Sequence, residues 1–335
     1  MKTVRFAVAA LAAFLWACAG NQDIYRSISG NAWGTVYHIT YRGAPALADS
    51  ILAEIERVDS SLSAFNHEST LYRLNASETD CADPMFAEVF AEARGVWEVS
   101  GGMFDPTVGP LVKLWGFGNL GETPEPDSAQ VDDARSKVGF SRCRLNGLQL
   151  IRDTEGMEID FAAIAKGYGV DRIGSVLSRN GCKDYMVEIG GEVAASGVNS
   201  RGSLWRIRID APGIDESESV LSLDNECVAT SGNYRNYREH ADGSRYGHTI
   251  NPLTGYPAST PIISATVVAP RCATADALAT AVMTMGSTLA PDSIAARIQS
   301  AYPQTDLYIV TAGRSDAGPV TLRYPRRKTA ATASR

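Results

Sequence analysis

Apolar residues at Leu47, Ile51, Leu52, Ile55, Val58 and Leu62 recur at three- and four-residue spacing and predict a helix from Leu47 to Leu62. A second helix opens at Asp83-Pro84, an N-cap followed by a first-turn proline. It buries Phe86, Val89, Phe90, Ala93 and Trp97 and closes at Gly101-Gly102. Residues 103–126, rich in glycine and proline, should form an ordered loop or short helical turns, and Asp127 to Val138 reads as a helix ended by Gly139. Alternation marks strands at Val36–Tyr41, Trp205–Asp210 and Ile262–Val268, with closing strands at Leu307–Val310 and Val320–Tyr324. Tyr185–Ile189 and Glu192–Ala195 flank Gly190-Gly191 as a hairpin. Met157 to Phe161 reads as a strand feeding a small-residue turn, then a helix through Leu177 that stops at Asn180-Gly181. Ala273–Met285 and Ile294–Tyr302 are further helices. Strands joined as hairpins rather than in βαβ units predict an α+β fold, a largely antiparallel or mixed sheet core with flanking helices.

The ends of the chain change the picture. Phe6 to Ala17 is an unbroken apolar run behind Lys2 and Arg5, too short for a spanning helix, and reads as an export signal. Leu15-Trp-Ala-Cys18 resembles the bacterial lipobox, which implies Cys18 as the lipidated first residue of the mature chain. The expected organisation is a lipoprotein signal peptide over 1–17, a tether over 18–30, one folded domain over 31–325 and a basic tail over 326–335. Such a protein would be lipid-anchored in the bacterial cell envelope and face the periplasm. The net charge of −7 supplies no global positive field for nucleic acid. Without Cys18, five of the six cysteines remain, an odd number with no zinc-like spacing and no pairing that follows from sequence.

Gly116-Phe-Gly-Asn-Leu-Gly121 fits the dinucleotide fingerprint, but Pro124 and Pro126 follow where a helix N-terminus is required, so the match is a loop. No P-loop and no G-x-S-x-G elbow exist. Three segments carry candidate chemistry. In Asp160-Phe-Ala-Ala-Ile-Ala-Lys166-Gly-Tyr-Gly169, small residues would let backbone approach a ligand, the next helix would offer N–H groups to an anion, and Lys166 a charge to a phosphate. A plain packed junction with Lys166 in solvent fits the same residues. Asp276 and Thr280, at i and i+4, place two oxygens on one helix face, suited to a hard cation or equally to the helix dipole and a back-bonded hydroxyl. His248, in a turn-rich run to Pro257, is either a general base or a turn histidine bonded to backbone.

Together these segments resemble the ApbE family of FAD:protein FMN transferases, from about Ser29 to Gly286. The resemblance is carried by Gly34-Thr35 with Tyr37, Leu62-Ser-Ala-Phe65, Leu74-Asn75, Ser100 to Gly118, Asp160 to Asp171, Gly190-Gly-Glu192, Thr230 to Tyr234, His248 to Pro257 and Ala275 to Thr280, all in the family's order. It implies an ApbE-like, T-fold-related domain that binds FAD as substrate and Mg²⁺ as cofactor. FAD would lie against Trp33, Phe65, Met103 and Phe104, with polar contacts from Asp105, Asp160 and Lys166 and backbone from Ile250. Mg²⁺ would be held by the Ala163 carbonyl, Asp276 and Thr280, and His248 would help the acceptor threonine lose its proton. Implied acceptors are flavoprotein subunits of Na⁺-translocating NADH:quinone reductase or Rnf-type complexes. FAD pyrophosphatase and non-catalytic flavin-binding lipoprotein are the rival readings. Trp33 stands where the family usually has Met, Phe65 where Tyr is common, Asn251 where Asp is usual, and Ala162-Ala163 where a Gly or Ser pair is frequent.

Overall fold

Val36 to Tyr41 alternates exposed and buried side chains, and the strand it forms sits inside the sheet on which everything else is arranged. The computed structural model describes residues 24–44, 47–117, 124–209, 212, 219–234, 237–239, 243, 245–313 and 318–326. The export run, Cys18, most of the Gly116–Gly121 match and the tail past Arg326 lie outside the described residues.

The strands are β1 (Tyr25–Ala32), β2 (Thr35–Arg42), β3 (Cys143–Asn146), β4 (Gln149–Arg152), β5 (Tyr185–Ile189), β6 (Glu192–Ser196), β7 (Trp205–Arg208), β8 (Val220–Leu223), β9 (Glu226–Gly232), β10 (Tyr237–Glu239), β11 (Arg245–Gly247), β12 (Ile262–Ala269), β13 (Asp306–Thr311) and β14 (Val320–Tyr324). The helices are α1 (Leu47–Leu62), α2 (Thr70–Asn75), α3 (Pro84–Ser100), α4 (Gly109–Leu114), α5 (Ser128–Ser136), α6 (Ala165–Arg179), α7 (Cys272–Met285) and α8 (Pro291–Ala301). The main sheet runs β1-β2-β5-β6-β9-β12-β13-β14, and every neighbouring pair is antiparallel.

Strand parity sorts the layers. Ala194 and Cys227 face a core shared with α1 and α6, whereas Val193, Ala195 and Val228 face the β7–β8 hairpin on the other side. Helix α7 runs through the middle of the helical layer. Thr280 is its one residue that is not buried, and alanine at 273, 275, 277, 279 and 281 keeps it thin enough to pack against sheet and helices at once. No helix among the described residues is long and apolar enough to cross a membrane.

The expected ends of α3 hold: Asp83 accepts from Phe86 N and Gly101 closes the helix in the left-handed conformation, while Asp127, expected as the first helical residue, instead caps α5 in a capping box with Gln130. Two further expectations are corrected. The tether over 18–30 ends earlier, because Tyr25–Ala32 pairs along its whole length with β2 as the edge strand. Met157–Phe161 is extended but not a strand, since its polar groups go to loops and side chains: Ile159 N to Asn75 Oδ1 at 2.8 Å and Asp160 N to Pro106 O at 2.6 Å.

Candidate active site

Helices α6 and α7 meet at backbone contact. A Cβ on Gly167 would lie 2.4 Å from the Cys272 carbonyl oxygen and 2.9 Å from Ala273 Cα. Across that contact Gly167 N donates to Asp276 Oδ2 at 3.1 Å. One turn on, Asp171 accepts from Cys272 N at 2.8 Å and Ala273 N at 3.0 Å. Asp171 thereby supplies from another helix the N-terminal cap that Arg271 does not make for α7. Burial lifts Asp171 to about 6, against the pull of those two amides and of Arg271.

This contact fixes three charged groups. Lys166 Nζ lies 2.7 Å from Glu192 Oε1 and 3.9 Å from Asp276 Oδ2. Burial opposes its ammonium form, but the two carboxylates outweigh burial and hold Lys166 above the usual lysine range. Burial raises Asp276, with Lys166 and the Gly167 amide acting the other way. Glu192 rises to about 7, mainly through burial, which Lys166 counteracts and Asp276 reinforces. Thr280 Oγ1, one turn beyond Asp276, is 3.1 Å from Ser231 Oγ on β9.

Because the Gly167 amide turns to Asp276, it does not close the helical turn onto Ala163. Among the described residues no backbone amide is bonded to the Ala163 carbonyl. Asp160 begins the same turn, its Oδ1 accepting from Ala162 N at 2.7 Å. The glycines of this segment serve a different purpose from the expected one. Gly167 admits the backbone of α7 rather than a ligand, and Gly169 admits the indole of Trp33, whose Cη2 would be 2.1 Å from a Cβ there. Two amides of the first turn are also already engaged, Ala165 N with Phe161 O and Gly167 N with Asp276.

The remaining expected residues lie on other elements, and of them Trp33 packs against Gly169. Trp33 occupies the two-residue β1–β2 turn with a left-handed φ of 51°, followed by Gly34 at 76°. Its Nε1 is buried without a hydrogen-bond partner. An open cleft of about 410 Å³ is lined by Ala32, Trp33, Ile55, Glu56, Asp59, Ser60 and Asn66. Phe65, next to that cleft in sequence, is 65% exposed. Met103 and Phe104 are buried in the main core, and Ile250 in a smaller cluster with Leu111, Trp115 and Phe117. Half-buried His248 sits with its ring centroid 6.3 Å from that of Phe117.

Asp105 does not stand free for a ligand. Its Oδ1 accepts from Thr107 N at 2.8 Å and Thr107 Oγ1 at 2.5 Å, and its Oδ2 from Phe140 N at 2.9 Å. Both oxygens are spent on tying the 103–107 loop to Phe140. Asn251 has a clear role too: its Oδ1 accepts from Leu253 N at 2.9 Å and Thr254 N at 3.3 Å, and its Nδ2 donates to Ser287. Asn and Asp share the acceptor that the two turn amides need, whereas the bond to Ser287 calls for the amide nitrogen of Asn.

The sequence model of the ApbE family matches residues 33–302. The chain belongs to the ApbE family. An FAD:protein FMN transferase of Vibrio cholerae is 39% identical over 276 residues, covering 77% of this chain and 81% of the relative. The solved flavin transferase ApbE from Vibrio cholerae superposes with a TM-score of 0.80 at 32% identity, covering 90% of this chain and 97% of that one. The apo flavinyl transferase ApbE of Pseudomonas stutzeri gives 0.79 at 32% identity, over 90% and 95%. The antiparallel sheet with its helical layer is thus the ApbE fold, and residues 33–302 contain every candidate site residue except Cys18. Sequence reasoning left three contributors to this ApbE site without a role, Glu192, Asp171 and Ser231, and gave Gly167 a different one. All three stood inside quoted motifs, but their partners lie in other elements of the fold.

Proposed function

We propose that the chain is a Mg²⁺-dependent FAD:protein FMN transferase that attaches FMN through a phosphoester bond to a threonine of a target flavoprotein and releases AMP. The observation that carries the chemistry is the convergence of Lys166, Asp276 and the unclosed turn at Ala163 on the α6–α7 contact. Family membership and the relatives' activity support the flavin transfer itself.

The donor set suits Mg²⁺. Among the described residues no three His, Cys, Asp or Glu side chains cluster as a metal site. A cation here would therefore draw on one carboxylate, the Thr280 hydroxyl and the Ala163 carbonyl, with water and phosphate oxygens completing the shell, as hard Mg²⁺ prefers. Bound there, Mg²⁺ would neutralise pyrophosphate charge and make AMP a better leaving group. Lys166 would place its ammonium against the same phosphates. The acceptor threonine oxygen bonds to the FMN phosphorus, the bond from that phosphorus to the AMP oxygen breaks, and His248 takes the hydroxyl proton. Trp33 lines the cleft where an aromatic ring system can lie, and exposed Phe65 precedes its lining residue Asn66 in the chain.

Acceptors of the proposed reaction are the flavoprotein subunits of Na⁺-translocating NADH:quinone reductase or Rnf-type complexes. A lipid at Cys18 would hold enzyme and acceptor on one side of the membrane, where tethering raises their encounter frequency. Incubation with FAD, Mg²⁺ and an acceptor domain should add the mass of one FMN moiety to the acceptor, and threonine→alanine in the acceptor should abolish it. AMP release with no mass added to a competent acceptor would overturn the transferase in favour of FAD hydrolysis.

A further inference from the structure

Glu192 opens β6 directly after a turn in which Gly190 and Gly191 have φ of 65° and 104°. It is 5% exposed and reaches Lys166 with Oε1 at 2.7 Å. Its Oε2 is buried with no hydrogen-bond partner. Two other carboxylates near the site, buried Asp105 and half-buried Asp171, behave differently. Asp105 and Asp171 each engage both oxygens with backbone amides, as a carboxylate kept for architecture should. Glu192 has a single side-chain partner, and that partner is the ammonium whose second neighbour is Asp276.

Asp276 faces two claims. It is the one anionic ligand available to the proposed cation, and it is also the carboxylate on which Lys166 would settle if nothing else held the ammonium. We propose that Glu192 is a positioning residue that draws Lys166 off Asp276, leaving Asp276 to a divalent cation and the ammonium to phosphate oxygens. The distances already express this division: the ammonium sits in hydrogen-bond contact with Glu192 and more than an ångström further from Asp276. When a cation engages Asp276, Lys166 still keeps a counter-charge and stays in place rather than being expelled. The inference rests on the metal reading above, so the test separates the two.

The readout is FAD binding, followed by flavin fluorescence on the full chain while Mg²⁺ is titrated. Wild type should bind FAD more tightly as Mg²⁺ rises, which defines a half-saturating concentration. Glu192→Gln keeps the shape and removes the charge, so Lys166 collapses onto Asp276 and competes with the cation. The half-saturating Mg²⁺ should rise by roughly fivefold to tenfold, the scale of one charge-assisted contact. Adding Lys166→Met removes the competitor, and the double variant should need the same Mg²⁺ as Lys166→Met alone, within about twofold on the additivity scale. Glu192→Asp, which retracts the carboxylate, should shift the titration in the same direction by less. It also serves as the second variant if Gln is poorly folded. No Mg²⁺ dependence in wild type would overturn the metal reading. Mg²⁺ dependence in wild type that Glu192→Gln leaves unchanged would overturn the role of Glu192. So would a shift that persists when Lys166 is gone, because a merely structural glutamate has no reason to be rescued by removing the lysine.

Discussion

Gly167→Ala is the sharpest probe of how this site is built. The added methyl would lie 2.4 Å from the Cys272 carbonyl oxygen, whereas ordinary contact begins near 3.4 Å. The obstacle is backbone that cannot swing aside, because the Asp171 carboxylate pins Cys272 and Ala273 through their amides and both residues are wholly buried. The helices must therefore part by about 1 Å, which carries the Gly167 N–Asp276 bond from 3.1 Å beyond bonding range. Overpacking costs about 1–3 kcal/mol and a bond to a charged acceptor about 1.5–3 kcal/mol, with partial overlap between them. A net loss of about 3 kcal/mol corresponds to a fall in Tm of roughly 5 °C for a domain of this size. Gly174→Ala on the same helix is the control. Its Cβ would meet the Tyr185 hydroxyl at 3.3 Å, the far end of a side chain, and alanine's helix propensity offsets that contact. Calorimetry should separate the two variants, and FAD binding should fail with Gly167→Ala alone. Equal Tm values and intact binding would refute the close-packed α6–α7 contact.

Asp276→Ala should lower Mg²⁺-dependent AMP release by roughly 100-fold or more, and Thr280→Ala by less, since water can replace a neutral oxygen but not the charge; equal losses measured by AMP quantitation would contradict that ranking. His248→Ala should slow acceptor labelling by about 10²-fold while FAD affinity holds, read by intact mass and fluorescence; an equal loss of both would remove the base role. Asp171, lifted to about 6 from an ordinary 3.8, favours the protonated fold, so its stabilisation is complete below pH 3.8 and is lost as pH rises through 6. Wild-type stability measured against Asp171→Asn should therefore fall by about 2 kcal/mol between pH 4 and 6 and level off above about pH 7, whereas a flat difference would show that burial does not perturb this carboxylate.

Long periodic helices and their ends were legible because their causes are local: the apolar stripe of α1, the Asp83 cap and the glycine stop of α3. The Asp276/Thr280 pair was legible for the same reason, being a one-turn spacing on one helix. Strand β1 was not, since Arg26, Ser27 and Ser29 look like tether until their pairing with β2 turns the chain into a sheet edge. Strand β9 hid its character behind Thr230-Ser-Gly232, read as a motif rather than as the end of a strand. The site's positioning groups escaped because each works across the fold: Asp171 caps a helix 101 residues away, and Glu192 meets Lys166 only once β6 has docked on α6. Periodicity carries no record of such pairings, and a glycine in sequence does not say whether a ligand, a helix or an indole approaches it.

The early start of β1 would put the proposed lipid anchor on a short leash. With a lipid on Cys18, only seven residue steps separate the bilayer surface from Tyr25, which is bound into the sheet and hydrogen-bonded through its hydroxyl to Val198 O at 2.7 Å. Fully stretched, such a segment reaches about 25 Å, not much more than the radius of a domain of this size. The enzyme would then patrol a thin layer hugging the membrane. A protein displaying its reactive threonine well outside that layer would go unmodified, however good its recognition motif.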